Sequence, residues 1–267
     1  MDNERLKRWR AFRGVCYTRV MNAVRCVSPF FNPGYGQGAK MITNDQFMQI
    51  SNFTQKYLKD TAAGSKQEWL KDFPRAAEHR WQHTLNVLHN AELILAGERA
   101  TDDVKGVVRV AAILHDISMF VCDHEIHGRI SAEIAEKYLL EEGYPNDFVA
   151  KVTRAIAEHG TDLGPLSPEE QGKLFSWEGK VVLEADILDK LGASTVTDTL
   201  LVLGGRNRLG FECRRELFDG RAMQRAAFFK DYIWTETGKS MAAQRFNFFL
   251  KFLDQLEQEV VESSVPS

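Results

Sequence analysis

Seven histidines stand in the 267-residue chain, and their spacing is more telling than their number. His115 follows Ala111 by four residues, and His159 follows Ile156 by three and Val152 by seven. His127 precedes Ser131 by four and Ile134 by seven. Residues three, four and seven apart share one face of an α-helix, so each imidazole falls on the apolar side of its segment. His83 shares a face with Val87, Asp186 lies four after Val182, and Asp116 directly follows His115. Five segments thus each aim an imidazole or a carboxylate inward. A single inward histidine is ordinarily a hydrogen-bonded core residue. Five ligand-type segments are harder to explain that way, because a buried carboxylate is costly unless it is paired or binds metal. A shared ion would satisfy Asp116, Asp186 and the imidazoles together. Histidine and carboxylate without cysteine suit Mn, Fe, Co, Zn or Mg.

The elements that must position these groups read as helices. Thr43 with Gln46 fits a capping box, followed by Phe47, Ile50, Thr54, Tyr57 and Leu58 at helical spacing. The pattern predicts further helices over about 77–97, 102–117, 128–142, 146–159 and 178–192, and a long one from Thr235 that carries Met241, Phe248, Phe249, Phe252, Leu256 and Val260. Gly143 before Pro145 ends the 128–142 helix. Gly164, Pro165 and Pro168 read as a loop, as does the Gly204-Gly205 pair with Arg206 and Arg208 nearby. Alternating strand patterns are missing. The expectation is an all-α domain over residues 41–262, with an extension at 1–40 and a tail at 263–267.

The net charge of −3 argues against a general nucleic-acid binder, and no duplex binding is expected. That charge is uneven. Residues 1–40 hold eight Lys or Arg and two acids, a local +6 that leaves −9 on the other 227 residues. This basic extension reads either as a solvated tail or as a surface-lying helix for a membrane or partner. No apolar run approaches the ~18 residues that span a bilayer. Cys16, Cys26, Cys122 and Cys213 form no C-x-x-C pair, and no secretory core follows the basic start. Free thiols of a reducing compartment, and a cytoplasmic location, are the expectation. G-x-S-x-G and G-x-x-x-x-G-K-[ST] are both lacking, which removes two other enzyme classes.

The sequence resembles the HD-domain metal-dependent phosphohydrolases, whose pattern is H…HD…D on a helical bundle. Here it maps to His83, His115-Asp116 and Asp186. Glu184–Ala193 looks like the family's D-A-D-R-L-D-A-L-G-A segment, and Ser131–Ala135 like its S-A-E-I-A helix. Thr235–Lys239 through Arg245, with Phe252-Leu253, is similar to the C-terminal helix of one bacterial subgroup that includes nucleotide pyrophosphohydrolases. The likeness spans about 75 to 260.

The resemblance implies an HD-domain helical bundle in which His83, His115, Asp116 and Asp186 hold one divalent ion, Mn, Co, Mg, Fe or Zn. Some members hold a second ion with two more histidines, and His127 and His159 stand at the matching places. They could equally be substrate contacts, so one ion and two both stay open. With two ions, Asp116 would bridge them. The implied activity is hydrolysis of a phosphate ester or anhydride in a small molecule, a nucleotide among the candidates, with homo-oligomerisation left open. The metal would acidify a water and neutralise a phosphoryl oxygen, and Asp116 could orient that water. The leaving oxygen would take its proton or charge from the second ion, from Glu78 or from Lys190. His79, four before His83, is expected behind the ligands, and His89 and His124 on surface or loop. Asn86 and Ile187 stand where the subgroup carries arginine, and Ile117-Ser118-Met119-Phe120 where it carries glycine and polar or basic residues. Those departures alter the substrate clamp and leave the metal cage intact. Arg129, Lys190 and Arg154 are the basic residues left near the ligand segments, each more at home on a solvated face. Two other readings remain: a di-iron oxygenase on the same fold, and a non-catalytic metal or nucleotide sensor.

Overall fold

A computed structural model describes residues 42–67, 70, 75–160, 167–205 and 231–259. The basic extension at 1–40, the tail at 263–267, Gly164, Pro165, Arg206 and Arg208 all lie outside these residues. Among those described, the elements are α1 (Asn44–Gly64), α2 (Ala76–Gly97), α3 (Asp102–Leu114), a 3₁₀ turn (His124–Ile126), α4 (His127–Glu141), α5 (Asn146–His159), α6 (Pro168–Leu174), α7 (Trp177–Asp189), α8 (Ala193–Gly205) and α9 (Glu236–Glu259). No strand occurs among them, so the all-α expectation holds. No helix among them is long and apolar enough to cross a membrane.

Helix α7 is the axle of the bundle. Nine of its thirteen residues are buried, Gly179 and everything from Val181 to Leu188. A helix apolar on every side must be covered on every side. Helices α2, α3, α5 and α9 all pack on it. Helix α3 supplies the second buried rod, with Val107, Val108 and Val110–Leu114 inside. The buried part of α3 is wholly apolar, whereas α7 carries two buried carboxylates, Glu184 and Asp186. Glu184 accepts the backbone N–H groups of Trp234 (2.7 Å) and Thr235 (2.9 Å), and so anchors the start of α9 on α7. The Thr43 capping box is present, with Gln46 N donating to Thr43 Oγ1 at 3.2 Å and Thr43 N donating to Gln46 Oε1 at 3.0 Å.

Three expectations need correction. The 102–117 helix ends at Leu114. From there the chain tightens into successive i→i+3 turns, with Ile117 N on Leu114 O (3.2 Å), Met119 N on Asp116 O (3.2 Å) and Val121 N on Ser118 O (2.9 Å). Pro168 opens a helix instead of lying in a loop. Its missing N–H is harmless at the first helical position, and Ser167 with Glu170 forms a capping box before it. The Gly204-Gly205 pair closes α8 and is not loop.

Candidate metal centre

Helices α2, α5 and α7, the turn after α3 and the first residue of α4 bring His83, His159, Asp186, His115-Asp116 and His127 together. All six are buried. Asp116 is the hub. Its Oδ2 lies 3.5 Å from His83 Nε2 and 3.4 Å from His115 Nε2. Its Oδ1 lies 3.4 Å from His127 Nε2 and 3.6 Å from His159 Nε2. The two imidazole pairs are themselves close, with Nε2 atoms 3.3 Å apart in His83–His115 and 3.2 Å apart in His127–His159. Asp186 completes the first pair, its Oδ1 3.1 Å from His83 Nε2.

The outer ring nitrogens explain the orientation. His115 Nδ1 faces Ala112 O at 2.8 Å, His159 Nδ1 faces Ile156 O at 2.5 Å, and His127 Nδ1 faces His124 O. His83 Nδ1 faces Asp189 Oδ2 at 2.7 Å. Each Nδ1–H therefore donates outward, and in His115, His127 and His159 a neutral ring then turns a bare Nε2 lone pair inward. Three such lone pairs and the Nε2 of His83 converge on two carboxylates. That is repulsive unless a cation sits among them. Asp186 Oδ1 is consistent with this, since it is buried and accepts no well-formed hydrogen bond. Donor atoms of His83, His115 and Asp186 lie within 4.8 Å of one another, as do those of His115, Asp116 and His159. The residues fit a divalent ion.

Electrostatics say the same. Burial works to lower the pKa of His83, but hydrogen bonds to Asp116, Asp186 and Asp189 outweigh it, and His83 is pushed up to about 10 without metal. Burial lowers His115, and it takes His127 down to about 4 despite Asp116. Burial opposes the charge on both carboxylates as well. His115 and Arg80 beside Asp116, and Lys190 and His83 beside Asp186, hold both well below the usual carboxylate range. The cage thus presents two ionised carboxylates to a cation, with His115 and His127 held neutral.

Closeness of the second pair depends on two glycines. A Cβ on Gly128 would lie 2.6 Å from Gly160 Cα, and a Cβ on Gly160 would lie 2.5 Å from Gly128 Cα. The close crossing of α4 with the end of α5 therefore needs glycine on both sides. Each glycine directly follows a cage histidine, His127 or His159. The repeated His-Gly pair was the readable signal, and sequence reasoning passed over it.

Other groups were missed or sit differently. Arg80 Nη1 donates to Asp116 Oδ2 at 2.6 Å. Asp189 holds His83 and also accepts Asn86 Nδ2 at 2.9 Å. His79 pairs with Asp198 on α8. Lys190 Nζ donates to Asp186 Oδ2 at 2.5 Å, so it stays partly solvated but is tied to the cage. Arg129 and Arg154 are on the exposed surface, paired with Glu133 at 2.7 Å and Glu158 at 2.8 Å. Glu78 is exposed in the first turn of α2. His89 is exposed too, and so is His124, whose ring meets that of His127 edge-on at 4.8 Å.

Comparison with known proteins agrees with this geometry. The model of the HD-domain family matches residues 80–191, which hold all six cage residues. The uncharacterized protein YpgQ of Bacillus subtilis strain 168 is 27% identical over 224 residues, 80% of this chain and 94% of that protein. A crystal structure from an uncultured Thermotogales bacterium, described as a "predicted HD superfamily hydrolase", is 26% identical. It covers 79% of this chain and 91% of its own, with a TM-score of 0.50. The crystal structure of B. subtilis YpgQ in complex with ADP shares the fold at 21% identity, with 81% and 97% coverage and a TM-score of 0.52. Residues 80–191 match the HD-domain family, and the helical bundle around them is shared with a structure described as an HD-superfamily hydrolase.

Proposed function

We propose that this chain is a metal-dependent phosphohydrolase acting on a phosphate ester or anhydride, with a nucleotide as the favoured substrate class. His83, His115, Asp116 and Asp186 would hold one divalent ion. Asp116, His127 and His159 would hold a second. One observation carries the reading: the two oxygens of Asp116 each face a separate histidine pair, with every Nδ1 tied back. The hydrolase description of the Thermotogales relative and the ADP bound to YpgQ support the substrate class.

A divalent cation there supplies Lewis-acid charge to a phosphoryl oxygen and makes a water acidic enough to attack near neutral pH. The chain's own residues do the rest. Asp116, ionised and fixed from five sides, orients the attacking water. Lys190, on Asp186 Oδ2 and 39% exposed, is the group we assign to the leaving oxygen. Glu78 is the weaker choice, because five residues along a helix turn it away from the face of His83.

Metal analysis of anaerobically purified protein, followed by turnover assays, tests this. Mn-, Co- or Mg-dependent release of phosphate or pyrophosphate is the expected result. Two irons per chain with oxygen uptake and no phosphate release would favour the di-iron oxygenase instead. An intact cage with neither activity would favour the sensor.

A further inference from the structure

We infer that Arg80 grips the substrate's phosphate oxygens at the rim of the cage, together with Lys190, and that this pair replaces the anion clamp lost at Asn86 and Ile187. The inference rests on the phosphohydrolase reading above.

The lost clamp is visible in the structure. Asn86 is spent on Asp189, and Ile187 is buried among apolar neighbours. Neither can meet an anion. Arg80 and Lys190 can, and their placement follows one pattern. Each bonds one oxygen of a cage carboxylate, Arg80 to Asp116 Oδ2 and Lys190 to Asp186 Oδ2. In each pair the cation is the outer member: the Arg80 side chain is 22% exposed against 6% for Asp116, and Lys190 39% against 8% for Asp186. An anion entering from solvent therefore meets two cations before it meets the carboxylates.

Arginine suits this task. Its guanidinium has five N–H donors in a planar fork, and one carboxylate oxygen uses only part of that set. The remaining geometry matches a phosphoryl group, to which arginine binds bidentately. Asp198, a negative charge near enough to feel Arg80, is paired with His79. Two cations on two different carboxylates also separate substrates. A diphosphate or triphosphate chain has oxygens enough for both cations and the metal at once. A neutral or singly charged ester does not.

The rival role for Arg80 is that of a counter-ion that only keeps Asp116 ionised. Inorganic pyrophosphate binding separates the two. Mn-loaded full-length protein, cleared of excess metal, would be dialysed to equilibrium against radiolabelled pyrophosphate, with metal content measured on the same samples. For Arg80→Gln the expected result is unchanged metal content and roughly ten- to a hundred-fold weaker pyrophosphate binding, the range of charge-assisted hydrogen bonds. Arg80→Lys should recover part of the loss, since it keeps the charge without the fork, and it serves if the glutamine variant folds poorly. Wild-type affinity in Arg80→Gln at full metal content would overturn the inference. Loss of metal in step with loss of pyrophosphate binding would also overturn it, and assign Arg80 to Asp116 alone. Wild-type protein that takes up no metal would instead overturn the phosphohydrolase reading beneath it.

Discussion

Asp116 has two oxygens and five nitrogens around them, from Arg80, His83, His115, His127 and His159. Four of those nitrogens belong to rings whose other N–H is committed elsewhere, so the chemistry of the cage is set by what lies behind it. Asp189 is the clearest case, because it fixes the ring of His83 at 2.7 Å. Asp189→Ala should weaken metal binding by roughly 10–100-fold, the usual effect of removing such a partner, read from metal titration of the variant. Unchanged affinity would show that His83 needs no support. His83 also predicts a pH effect. In the metal-free protein it is pushed up from 6.5 to about 10, so it carries a proton that an incoming ion must displace. Metal uptake at pH 7 should release about one proton from this site, and affinity should rise with pH up to that value. Calorimetry in two buffers of different ionisation enthalpy counts the proton. The stability sign runs the opposite way. The raised pKa stabilises the metal-free fold fully below 6.5, and that gain is lost as pH rises toward about 10. Melting temperature in a chelator should fall across this window, and this contribution should vanish in metal-loaded protein.

At the scale of elements, the crossing of α4 with the end of α5 carries the second histidine pair. Gly160→Ala forces a methyl against Gly128 Cα and should cost about 1–3 kcal/mol of stability. It should also move His159 away from His127 and lower metal content more than it lowers helix content. Equal loss of both would mean the glycines serve folding alone. This crossing shows where sequence reading stops. Helical spacing placed His83, His115, His127, His159 and Asp186 on inner faces, because periodicity within one helix is a local property. Arg80, Asp189 and Asp198 escaped, because each acts on a different segment and no spacing encodes that distance. Helix α8 was missed for another reason. Its first half is rich in Ser194, Thr195, Val196, Thr197 and Thr199, residues of modest helix propensity, and packing against the core decides the outcome. Helix α6 departs from the loop reading because Pro168 stands at the one helical position that tolerates it.

For the whole molecule, every cage residue and every Nδ1 partner comes from the helical unit between α2 and α7. Residues 1–40 contribute none of them, and their charge is opposite to that of the rest. Deleting 1–40 should leave helical content and metal uptake intact, as measured by circular dichroism and metal analysis. A fall in either would show that the extension belongs to the fold. The most direct test of the account is a metal count on purified His127→Ala and His159→Ala beside the wild type. If Asp116 bridges two sites, the wild type should hold two ions per chain, and each variant should hold one, retained by His83, His115, Asp116 and Asp186. Equal stoichiometry in all three proteins would contradict the bridged cage.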